Sequence, residues 1–296
     1  MKKLKLDVKD LANRLDISTK KLFKSTLMGN YQTAYKGEGL EFVGFRKYTQ
    51  GDDAAKIDWK ATVRSNDILI KEFMEERSLH VFFLMDASST MLFGSKDKLK
   101  AQYASEFIAS MAYAIMHASD SVGFGMFNEK MVKSFMPTSG EKQYYMILNN
   151  LVDMNLYGRG FDLVKPLKFY TDQLTQGSLF FIVSDFIGLK GQDWIETLKI
   201  TARKLDVIGI MIRDERDRML PEDHMEIVVE STEDNRKKVV NPATIKREYE
   251  MYVKREEARI QEIFKEVGAE FLMFTTGEDF VNPMIKFFRR RLAKYR

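Results

Sequence analysis

Asp86, Ser88 and Thr90 are oxygen-bearing side chains spaced two apart in the run Asp86-Ala87-Ser88-Ser89-Thr90. Alternate residues of a short loop can turn their oxygens toward one point. A carboxylate and two hydroxyls gathered in this way are hard donors, suited to Mg2+ or Mn2+ with waters completing an octahedron. The run lies directly behind an apolar stretch, His80–Met85, and ahead of a helical pattern. In open α/β sheets ligands bind at such a place, outside the carboxyl ends of the strands. A second apolar stretch ends at Ser184-Asp185-Phe186, and Asp185 joins the group if the two strands are neighbours. The same residue types have a plainer use, because Asp86 and Ser88 can cap a following helix. Spacing leaves both uses open.

Other chemistry is sparse. The chain has no Cys, which removes disulfides, thiolate metal sites and a Cys nucleophile. No G-x-S-x-G elbow, G-x-x-x-x-G-K-[ST] phosphate loop or H-E-x-x-H pair occurs. Gly123-Phe124-Gly125 opens like a dinucleotide fingerprint, but Asn128 stands at the third glycine position and the stretch reads as strand. His80, His117 and His224 are far apart and offer no spaced metal cluster.

Positioning the Asp86 group requires a sheet. His80–Met85 (HVFFLM) and Ser178–Val183 (SLFFIV) are short continuous apolar runs, the pattern of strands buried on both faces. Ser121–Phe127, Met131–Phe135, Val207–Ile212 and Phe271–Phe274 read as further strands. Helical stripes run between them at 98–118, 162–174 and 194–205, and behind a T-x-x-E capping box formed by Thr138 and Glu141. Asn241-Pro242 opens a long helix that Gly268 ends, and a final helix spans 278–296. Strands alternating with helices predict an α/β fold, a doubly wound, mostly parallel sheet with helices on both faces. Upstream, 8–28 reads as short amphipathic helices, and 31–78 as strands and turns around a helical segment near 57–63. The domain reading is therefore a smaller mixed α+β segment at 1–78 and the α/β domain at 79–296.

Composition sets limits. The chain has 296 residues, 45% hydrophobic and 30% charged, which excludes disordered and fibrous classes. No apolar run reaches the roughly 20 residues of a membrane span, and none follows the basic start as in a signal peptide. The net charge of +4 is unevenly spread: residues 1–24 carry +5, 281–296 carry +6, and the body carries −7. Basic ends suit docking on anionic surfaces or capping of a helix C-terminus. An acidic body without a recognition motif argues against sequence-specific nucleic-acid binding.

Asp86-x-Ser88-x-Thr90 behind an apolar strand resembles the metal-ion-dependent adhesion site of von Willebrand factor type A domains. A longer signature precedes it: Arg46-Lys47-Tyr48, Gly51-Asp52-Asp53, Ile57-Asp58-Trp59-Lys60, Arg64 and Lys71-Glu72-Phe73. Together these resemble domain-of-unknown-function family 58, whose members are associated with MoxR-type AAA+ ATPases. The resemblance implies a type A fold, a partner ATPase, and Mg2+ or Mn2+ held through Asp86, Ser88, Thr90 and Asp185, open to an acidic residue of the partner. One departure bears on the metal: Phe161, in Gly158-Arg159-Gly160-Phe161-Asp162, stands where such loops carry a Thr. The signature residues Arg46, Tyr48, Gly51, Asp52, Asp58, Trp59 and Arg64 suit either a buried ion-pair and aromatic network or an interaction surface. The function expected is a non-catalytic cytoplasmic adaptor that binds the ATPase and its client protein during assembly or maturation of other proteins. Two rivals stand beside it. One is a metal-dependent hydrolase using Asp86 and Asp185; the other is a scaffold held peripherally on a membrane by its basic termini.

Overall fold

The computed structural model describes residues 4–6, 41–65, 67–74, 79–220, 227–230 and 237–294. The amphipathic helices expected over 8–28, and His224, lie outside these residues. The chain divides into two compact units at the Ser78–Leu79 junction, and residues 4–6 belong with the part that follows it. The segment expected as 1–78 therefore contributes its described start to the larger unit.

In the unit Met28–Ser78, β1 (Glu41–Lys47) pairs antiparallel with β2 (Leu69–Met74), and α1 (Trp59–Ser65) lies between them in sequence. Gly51 takes a φ of 110° in the turn after β1, a left-handed conformation that glycine adopts without a Cβ penalty.

In the larger unit, β3 (His80–Asp86) is followed by α2 (Lys100–His117), β4 (Ser121–Phe127), β5 (Met131–Thr138), α3 (Glu141–Leu151), α4 (Val164–Gln173) and β6 (Leu179–Ser184). Then come α5 (Asp193–Lys204), β7 (Asp206–Arg213), the single turn α6 (Glu215–Arg218) and a hairpin of β8 (Ile227–Glu230) and β9 (Lys237–Val240). The chain ends with α7 (Pro242–Glu266), β10 (Glu270–Thr275) and α8 (Val281–Lys294). The six-stranded sheet has the order β10-β7-β6-β3-β4-β5, parallel except for β5. β3 and β6 are direct neighbours, with Val81 opposite Leu179 and Met85 opposite Val183.

The alternation of side chains along β3 sorts the core into two layers. Val81, Phe83 and Met85 pack with Phe107 of α2, Ile147 of α3 and Met284 and Phe288 of α8. Phe82 and Leu84 pack with Tyr170 of α4, Leu198 of α5 and Phe264 of α7. Helices thus cover both faces, and strands buried on both sides are continuously apolar for that reason. Gly123 and Gly125 serve this packing. A Cβ on Gly125 would collide with the Tyr170 hydroxyl, and one on Gly123 would meet the rings of Phe82 and Pro137. The glycine pair makes room for rings and sits inside β4, away from any helix start.

One local expectation fails for an identifiable reason. Thr138 ends β5 and does not cap α3; Gly140, with a φ of 101°, stands at the cap position without a side-chain bond. The strand continues three residues further than its apolar pattern, which consumes the Thr. The β8–β9 hairpin had no sequence counterpart.

Candidate functional site

The carboxyl ends of β3, β6 and β7 lie side by side, and each delivers an aspartate: Asp86, Asp185 and Asp214. Asp86 is the last residue of β3. Its Oδ1 accepts from the Ser88 amide at 2.8 Å and its Oδ2 from the Ser184 hydroxyl at 2.6 Å. Asp86 and Asp185 are fully buried, and Ser88 and Thr90 nearly so. The Ser88 and Thr90 hydroxyls share a hydrogen bond of 3.0 Å. All four expected residues therefore stand at one sheet edge, Asp86, Ser88 and Thr90 in one loop and Asp185 on the neighbouring strand's exit. Ser88 stands before a 3-10 turn, Ser89–Leu92, without a side-chain capping bond. The capping use is thus limited to an Asp86 side chain that holds its own loop.

Backbone geometry aims the second carboxylate. Phe186 has a φ of 54°, an uncommon conformation for a bulky residue. Its amide donates to Ser184 Oγ at 2.8 Å, and the Ile187 amide donates to Asp185 Oδ1 at 2.9 Å. The Phe186 ring is wholly buried against Phe264 and Phe271, which holds the strained turn in place. Arg159, with a φ of 73°, shapes the facing loop, where its carbonyl accepts from the Ser89 amide at 2.9 Å.

The charge on Asp185 has a partner that sequence reasoning missed. Lys100, only 1% exposed, donates from Nζ to Asp185 Oδ2 and to Asp217 Oδ2, both at 2.7 Å. The Phe93 ring lies 5.6 Å from the same ammonium. Asp217 also accepts from the Asp214 amide at 2.9 Å, which ties the β7 exit to the group. The sequence carried one signal for Lys100: it precedes Tyr103, Ala104 and Phe107 at spacings of three, four and seven. It therefore lies on the buried stripe of α2, where a lysine needs a partner. Burial raises the Asp86 pKa well above the ordinary carboxylate range, and the neighbouring Asp185 charge raises it further.

This donor set does not fit an octahedral divalent ion. Phe161 packs on Phe127, ring centroids 5.5 Å apart, at the place where the resemblance wants a hydroxyl. Asp162, which could substitute, instead accepts from the Val164 amide at 3.0 Å and pairs with Lys165 at 2.9 Å. A divalent ion sharing Asp185 would also stand beside a fixed ammonium, and like charges a few ångströms apart repel strongly where water is excluded. Among the described residues no group of three or more His, Cys, Asp or Glu is placed to hold a metal ion.

The upstream signature separates into two kinds of residue. Arg46 grips Asp52 through two bonds of 2.7 Å, and the Thr49 amide and hydroxyl donate to the same carboxylate. The Arg46 bonds first, then those from Thr49, hold the Asp52 pKa far below its usual range. Asp58 accepts from the amides of Lys60 and Ala61 at the start of α1 and pairs with Lys71 at 3.0 Å. The Tyr48 amide donates to Ile68, and Gly51 makes the turn. These residues build the unit. Trp59 and Arg64 do not: both are exposed, with Trp59 at 64% beside Val63 at 80%.

At the opposite end of the sheet, the basic C-terminal run is partly structural. Arg291 is buried and pairs with Asp206 and Glu270, while Lys286, Arg289 and Arg290 are exposed. No helix among the described residues is long and apolar enough to cross a membrane.

Comparison with known proteins agrees with this architecture. The family model described as "Protein of unknown function DUF58" matches residues 44–259. An uncharacterized protein of Mycobacterium tuberculosis (strain ATCC 25618 / H37Rv) is 22% identical over 281 residues, covering 94% of this chain and 87% of that protein. The uncharacterized protein YeaD of Bacillus subtilis (strain 168) is 28% identical over 109 residues, 36% of this chain and 24% of that protein. Among solved structures, an aerotolerance-related membrane protein from Bacteroides fragilis NCTC 9343 superposes with a TM-score of 0.51 at 15% identity, covering 73% of this chain and 100% of that one. That likeness is one of fold, and the larger unit is an α/β domain with a mostly parallel six-stranded sheet.

Proposed function

The chain belongs to the family described as protein of unknown function DUF58, and on that premise we propose that it is a non-catalytic cytoplasmic adaptor. Its type A-like unit engages a protein partner, a MoxR-type AAA+ ATPase or that ATPase's client, through the loops at the carboxyl edge of the sheet. The observation that carries this reading is the contrast of burial at that edge. Asp86 and Asp185 have no exposure and are held by hydrogen bonds and an ion pair, which supports a structural use of both carboxylates. The loops over them present Phe93, Lys96, Arg159 and Lys190 to solvent, with Lys96 paired to Glu215 and Arg159 to Glu129. An exposed aromatic among charged side chains of both signs, over a buried core, suits a protein contact.

The test is a binding titration of the full chain against the MoxR-type ATPase of the same cell, with ATP present. Arg159→Glu and Phe93→Ser at the rim should each weaken binding by about tenfold, the range of a modest interface contact. Unchanged affinity in both variants would overturn the assignment of the contact to this edge.

A further inference from the structure

Asp185 and Asp217 are acidic groups with little or no exposure, and buried carboxylates persist only where a counter-charge meets them. In a metal-loaded edge a divalent ion supplies that charge. Here Lys100 Nζ lies 2.7 Å from one oxygen of each carboxylate, with the Phe93 ring 5.6 Å away. Lys100 sits at the first position of α2, and its amide donates to the Phe93 carbonyl at 2.9 Å, so the loop carrying Ser88 and Thr90 is anchored to the same residue. Phe161 closes the side on which a third hydroxyl would be needed.

We infer that this edge works without a divalent ion: the Lys100 ammonium is its built-in cation, bridging the exits of β6 and β7 and holding the Asp86 loop in its folded shape. Contact with a partner at this edge is then metal-independent. That last clause rests on the proposed function, whereas the charge assignment concerns the chain alone and is tested on it alone.

The ion question is settled by adding Mn2+ to the full chain and following the free-ion signal by electron paramagnetic resonance. With the chain at about 1 mM and Mn2+ at about 100 μM, even a millimolar site would take up about half of the ion, and the free signal should match that of the Asp86→Asn variant. The melting temperature should likewise be the same in EDTA and in Mg2+. Uptake that is lost in Asp86→Asn would overturn the inference, and uptake equal in both chains lies elsewhere and supports it. The role of Lys100 is read from a double-mutant cycle. Lys100→Gln and Asp185→Asn should each lower the melting temperature, and the double variant should lose less than the sum of the two. Additive losses would overturn the assignment. If Lys100→Gln alone does not fold, recovery of a folded double variant supports it, and failure of the double variant while Asp185→Asn folds overturns it.

Discussion

Two aspartate–cation arrangements, Asp52 with Arg46 and Asp185 with Lys100, use the same chemistry in opposite surroundings. Arg46 and Asp52 form a two-pronged pair near the surface of the Met28–Ser78 unit, where side chains retain 33% and 15% exposure. Lys100 and Asp185 form theirs at 1% and 0%. Water screens the first pair and can solvate either member left alone. It cannot reach the second, so each member there depends on the other. The carboxyl of the first pair and the one beside the second shift in opposite directions: Asp52 is held ionised well below its usual range, while burial raises Asp86. Distance alone therefore does not rank ion pairs; the solvent each member would meet after losing its partner does.

The sharpest challenge to this contrast is Lys100→Met. Breaking a buried pair by removing one partner costs about 3–5 kcal/mol, and urea denaturation should show a loss of that size. A loss comparable to that of a surface pair would erase the distinction. The next effect is a pH slope. Folding keeps a proton on Asp86 that the unfolded chain releases near pH ~4. Over that interval the folded state binds more protons, so stability falls as pH rises and levels off above the raised pKa. One such group gives at most about 1.4 kcal/mol per pH unit, and Asp86→Asn should remove this component of a stability–pH curve.

Asp52 should behave in the reverse sense. Its depressed pKa contributes stability that is present at neutral pH and lost as pH falls below the ordinary carboxylate range. Arg46→Ala should have a smaller effect than Lys100→Met, and the difference from the parent chain should shrink in about 1 M salt, where the screening length is near 3 Å. The smallest change is expected at Trp59→Ala. An exposed side chain away from such features should leave stability within about 0.5 kcal/mol. A large loss there would mean that Trp59 supports the unit and is not displayed by it.

Much of the architecture could be read from the chain because burial on both faces leaves a plain mark. HVFFLM and SLFFIV have no polar interruption, and the structure places them as adjacent central strands. Asp86, Ser88, Thr90 and Asp185 were legible because their place follows from strand exits. Lys100 was not, since its partners are 85 and 117 residues away and only the tertiary fold brings them to it. Asp217 was hidden for the same reason. Thr138 misled because a capping pattern is local, whereas the length of β5 is set by pairing with β4. The signature around Arg46 and Trp59 reads as a single motif, yet only exposure separates the residues that hold the unit together from those it displays.

β5 has a consequence for how this molecule behaves in a crowded solution. It is the outer strand next to β4, the one antiparallel member of the sheet. An outer strand is a template on which another chain can polymerise. Exposed Lys133 places a charge on this stretch, one of the devices that discourage such pairing. That border of the sheet therefore carries its own obstacle to edge-to-edge growth.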